Sequence, residues 1–136
     1  MDILQYTSEM DGRMQMEGKA EYRYINIEKG KAMFDDNMEV YAEIAGVFCQ
    51  NAPGQIENIV KSIEKEDYVT YDREVHTLKS LAGSLGAETL SAMAVRHDAA
   101  YRKKDYLFLK KSYWDVVSLY SEVVRELNKI CKNGIE

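Results

Sequence analysis

The sequence predicts an all-α protein, an antiparallel four-helix bundle with an extra N-terminal helical segment. Three observations lead there. Proline occurs once, at Pro53, and only eight glycines are spread over 136 residues, so the punctuation that cuts β proteins into short strands is sparse. Apolar residues recur at steps of three and four over long stretches, the period of a helix with one buried face. Hydrophobic residues make up 46% of the chain and charged residues 30%, the mixture of one globular domain large enough to bury a core without staples.

In residues 1–24, charges and Gly12 and Gly18 interrupt any long apolar stripe; this stretch reads as a partly helical extension of unknown role, and the bundle domain is assigned to 25–132. Ile25 and Ile27 lead into a short helical turn ending near Phe34, and Asp35 and Asp36 are N-cap candidates for the helix after it. Met38, Tyr41, Ile44, Ala45 and Phe48 mark that helix, Asn51, Pro53 and Gly54 a break, and Ile56, Ile59, Val60 and Ile63 a further helix. The next helix runs from about Tyr68 to Leu85, with Tyr71, Val75, Leu78, Ala82 and Leu85 on its stripe. Gly86 ends it where a left-handed C-cap is needed. Leu90, Met93, Ala94, His97 and Tyr101 define another helix. Asp105 caps a long last one carrying Tyr113, Val116, Val117, Tyr120, Val123, Val124, Leu127 and Ile130. Short connections between amphipathic helices make neighbours antiparallel.

Bulk chemistry excludes several function classes. A net charge of −5 is a poor basis for sequence-general nucleic-acid binding, because neutralising phosphates supplies most of that affinity. No apolar run approaches the roughly 20 residues of a membrane span, and no basic-then-apolar leader opens the chain, so a cytoplasmic location is expected. Cys49 and Cys131 are far apart and sit in helix-periodic apolar surroundings, which reads as a reduced pair and not a metal site. Two histidines without a convincing carboxylate set fall short of a metal centre, and none is expected. No Walker-type phosphate loop is present, so autophosphorylation from ATP is not expected.

Chemistry concentrates between Asp72 and Ala87. Each residue turns a helix by about 100°, which takes His76 well off the Val75–Leu78–Ala82 stripe. Asp72, His76, Lys79, Ser80 and Gly83 share a different face, with neighbours three and four apart. Neutral imidazole is a nucleophile near pH 7. Lys79, one turn ahead, can offset charge on phosphoryl oxygens, while Ser80, Gly83 and Ser84 leave room for a partner. Asp72, one turn behind, is a candidate to orient the ring. If the hairpin turns near Gly86, Arg96 lies level with His76 and is a second cation for the site. Arg102, Lys103, Lys104, Lys110 and Lys111 form a basic cluster that can steer an acidic partner. His97, on an apolar stripe, reads as structural.

The run His76-Thr77-Leu78-Lys79-Ser80, then Ala82-Gly83-Ser84-Leu85-Gly86-Ala87 and Leu90, resembles the histidine phosphotransfer (HPt) family over roughly residues 25–130. The resemblance implies a four-helix bundle whose exposed histidine, here His76, accepts a phosphoryl group. It also implies response-regulator receiver domains as partners, including the receiver of a hybrid sensor kinase. Those partners bring the aspartyl phosphate and the magnesium, and no cofactor of the chain's own is expected. Ser80 departs from the pattern, standing where the family usually has glycine. The expected role is that of a monomeric phosphorelay intermediate; the alternative is a transfer-inactive module that binds a receiver as an adaptor or inhibitor.

Overall fold

The structure is a computed structural model describing residues 22–134, and five helices span these residues. They are α1 (Ile27–Ala32), α2 (Met38–Glu64), α3 (Tyr68–Ser84), α4 (Glu88–Arg102) and α5 (Tyr106–Gly134). The expected all-α bundle is found. α3 packs along α4 and α2 along α5, and α2–α3 and α4–α5 contacts close the ring, with α1 leaning on α2. Tyr41, Tyr71, Leu78, Leu90, Leu109, Tyr120 and Leu127 are fully buried at the centre. Residues 1–21 of the expected extension lie outside the described residues.

Two local expectations are corrected. The break at Asn51–Gly54 is absent, and α2 runs through Pro53 without interruption. Its buried face is continuous, with Tyr41, Ala45, Phe48 and Ala52 before the proline and Ile59 and Ile63 after it. Pro53 itself is exposed, and it leaves the Cys49 carbonyl without its helical donor. The cap of α2 is also neither Asp35 nor Asp36, which occupy left-handed conformations (φ 56° and 59°). Asn37 is the cap, its side chain accepting from the Val40 N–H at 3.2 Å.

One loop design joins the four long helices. Lys65–Asp67, Leu85–Ala87 and Lys103–Asp105 each place a left-handed residue in the middle, Glu66 (φ 56°), Gly86 (φ 86°) and Lys104 (φ 61°). In each, the next N–H reaches back over the helix end at 2.8 Å: Asp67 to Ser62, Ala87 to Ala82, Asp105 to Ala100. This is the six-to-one bond of a Schellman ending. Asp67 and Asp105 then cap the adjoining helix through Thr70 and Phe108. Ala87, fully buried, makes no such bond.

Glycine is required in the middle loop because the chain's leading strap crosses it. The Asn26 N–H donates to the Gly86 carbonyl at 2.9 Å, and a Cβ at Gly86 would overlap the Asn26 carbonyl. The strap continues with the Arg23 and Tyr24 N–H groups donating to the Glu126 carboxylate at 3.0 and 2.9 Å. Tyr22 and Tyr24, within the segment read as extension, lean on the core. On the outside of α5, Leu107 and Trp114 stand 62% and 57% exposed.

Candidate functional site

α3 builds the site by the phase of its stripe. Tyr71, Val75, Leu78 and Ala82 are completely buried, which turns His76 outward to an exposed position in mid-helix. Its side chain makes no hydrogen bond among the described residues, so the ring is open to an approaching group. Lys79, half-buried, lies one turn ahead, and Ser80 and Gly83 are exposed beside it. A Cβ at Gly83 would sit 3.3 Å from Ser91 Oγ, so this spot is already snug against α4. Val69, two turns before His76, is 56% exposed on the same side of α3.

The structure brings His76, Lys79, Ser80 and Gly83 onto one face, and it places the other two candidates differently. Asp72 shares the face, but its carboxylate turns to Asp98 of α4 and not to the imidazole. Arg96 projects away. The Ser91 hydroxyl donates to the Lys79 carbonyl at 2.9 Å, and Asp98 lies beside Asp72. Both pairs are symmetric about position 85, one residue before the turn assumed from the sequence. On a helix Arg96 lies about 140° round from Ser91 and about 200° from Asp98. It therefore faces the α5 side, where it and Asp115 act on His97. Val95, 48% exposed, is the α4 residue that turns toward α3 near the level of His76. Arg102 is the second cation of the neighbourhood, held by Asp98 at 2.5 Å.

Asp72 is the most perturbed group of the site. Asp98 is 4% exposed. Burial, reinforced by Asp98, pushes the Asp72 carboxyl up to about 6, against the pull of Arg102 and Lys79. Sequence reasoning missed Asp98 because it looks like the partner of an ordinary i,i+4 pair with Arg102. Its alignment with Asp72 emerges only from the register of the hairpin.

His97 is buried as expected, at 2% exposure. The Tyr71 hydroxyl and His97 Nδ1 are 2.8 Å apart. Burial first, then Arg96, pushes the imidazole down to about 4, against Asp115. The ring is therefore neutral at pH 7 and shares one hydrogen bond with the Tyr71 hydroxyl at Nδ1. Among the described residues no three histidine, cysteine or carboxylate side chains gather as metal ligands. No described helix is long and apolar enough to cross a membrane.

The site is thus an outward histidine in mid-helix on a four-helix bundle, with a lysine one turn on and small residues around it. Residues 43–106 match the family model of the Hpt domain. The fold also matches the crystal structure of the HPT domain from the Hpt sensor hybrid histidine kinase from Shewanella. That match has a TM-score of 0.74 at 13% identity and covers 80% of this chain and 94% of that one. A comparison with curated proteins gave no match.

Proposed function

We propose that the chain is a phosphorelay intermediate that accepts a phosphoryl group on His76 from a receiver-domain aspartate and passes it to another receiver. The observation that carries this reading is the exposed, unbonded imidazole of His76 with Lys79 one turn ahead, inside the stretch that matches the Hpt domain. A ring nitrogen attacks phosphorus, the acyl-phosphate P–O bond breaks, and its electron pair returns to the partner's carboxylate. Lys79 faces the charge that develops on the phosphoryl oxygens. Val69, Val95 and Gly83 offer the partner an apolar, low-relief seat around the ring. Magnesium belongs to the receiver, and the chain supplies no cofactor. Acting as a monomer in the cytoplasm, a bundle comprising residues 25–132 is sufficient for this role, with 1–24 as an extension.

Transfer from a phosphorylated receiver tests the reading. Acid-labile label is expected on the wild type and none on His76→Gln. A second reading rests on Ser80, whose hydroxymethyl group stands exposed beside His76 where the family usually has glycine. If receivers bind the wild type and none transfers label, the chain is an adaptor or inhibitor of receivers.

A further inference from the structure

Among the described residues one buried side-chain oxygen has no hydrogen-bond partner. It is Asp72 Oδ1, one helical turn before His76. A buried orphan is rare enough to demand a cause. Here the neighbour is a second carboxylate, that of Asp98, brought alongside by the α3–α4 register. Two ionised carboxylates are both acceptors and cannot satisfy each other. A proton taken up by the pair would turn one carboxyl into a donor to the other. Arg102 sets where such a proton goes: its guanidinium is engaged by Asp98, so Asp72 is the member of the pair that takes it. The charged groups facing Asp72 are Asp98 and Arg102 from α4 and Lys79 from α3 itself. α2 packs on another flank of α3, through Gln55 and the Glu74 carbonyl.

We propose that Asp72 and Asp98 are a proton-holding pair that takes up one proton when His76 is phosphorylated, with Asp98 and Arg102 as positioning residues. This rests on His76 being the phosphoacceptor. A phosphoryl group places on the order of two negative charges one turn from Asp72. Like charge at that range favours the protonated carboxyl. The new N–P bond uses the imidazole lone pair, the P–O pair leaves with the receiver carboxylate, and the proton that lands on Asp72 comes from water. Its arrival removes a negative charge beside the phosphoryl group and leaves the field of Lys79 to act on the phosphoryl oxygens. Through this pair, linkage favours the phosphorylated state as pH falls through the range in which the pair titrates, and the unphosphorylated state as it rises.

Carbon-13 NMR of the aspartate carboxyls in the full chain tests this, with titrations before and after phosphorylation by phosphoramidate. Asp72 should titrate above the other aspartates, and its midpoint should rise by about half a pH unit or more on phosphorylation. In Asp98→Asn it should fall by about one to two units and respond less to the phosphoryl group. A His76→Glu chain, carrying a fixed charge at the same place, should show a smaller rise of the same sign. The proposal is overturned if Asp72 titrates with the ordinary aspartates, if phosphorylation leaves its midpoint unmoved, or if Asp98→Asn responds as fully as the wild type. Failure of His76 to take label from phosphoramidate or any receiver refutes the phosphoacceptor reading and the coupling with it. The titration of the unphosphorylated chain then still reports whether the pair exists.

Discussion

Two side chains in the α3–α4 hairpin oppose each other in their effect on stability. His97 is held neutral, its folded value near 4 lying below the usual imidazole range. Between about 6.5 and that value the unfolded chain binds the proton first, so stability falls as pH falls. Asp72 is raised to about 6, so between that value and the ordinary aspartate range the folded chain binds the proton first, and stability rises as pH falls. From pH 7 to 5 each effect is on the order of 1–2 kcal/mol and they nearly cancel. Urea unfolding at the two pH values should therefore show a nearly level wild type. His97→Gln should gain about 1 kcal/mol on acidification, and Asp72→Asn should lose between about 1 and 2 kcal/mol. A His97→Gln chain that loses stability on acidification would contradict the assignment. At this scale the outward aim of His76 and the inward aim of His97 were legible, because each is set by a stripe of apolar neighbours. The reach of Arg96 was not. A shift of one residue in the turn, combined with the rotation of about 100° per residue, sends a side chain to the far flank of its helix.

The loops between the long helices predict opposite outcomes for changes to and from glycine. Lys104 is exposed and left-handed, a conformation that costs a non-glycine residue about 1 kcal/mol. Lys104→Gly should therefore raise stability by up to about 1 kcal/mol in thermal melts. Glu66 stands in the same conformation but its carboxylate binds Lys110 at 2.8 Å, which offsets part of the gain there. At Gly86 the reverse holds. A methyl group would overlap the Asn26 carbonyl, and Gly86→Ala should cost about 2 kcal/mol or more and loosen the strap. Pro53→Ala should stabilise α2 by about 1–3 kcal/mol, since it restores a helical donor without touching the buried face. If Pro53→Ala melts lower, the proline is serving a purpose the helix does not reveal. Gly86 and the Asp105 cap could be read from residue type alone. Asn37 and the unbroken α2 could not, because a proline on a solvent face yields to the core packing on either side of it.

For the molecule as a whole, the α-class, the helix order and the antiparallel bundle were all present in the apolar periodicity. The strap from Tyr22 to Asn26 was not: it is held by the Glu126 carboxylate and one backbone carbonyl, and neither partner leaves a pattern in the chain that crosses it. The aromatic residues divide in a similarly unforeseen way. Tyr41, Tyr71 and Tyr120 are fully buried, whereas Trp114, the sole indole, faces outward from α5. The protein's spectroscopy is divided accordingly. Excited at the indole, the native chain should already emit as if largely in water, and unfolding should move the maximum by only a few nanometres. The near-ultraviolet dichroism of the tyrosines should collapse over the same transition. Indole fluorescence, the usual reporter of an intact interior, will in this protein register what touches its outer wall.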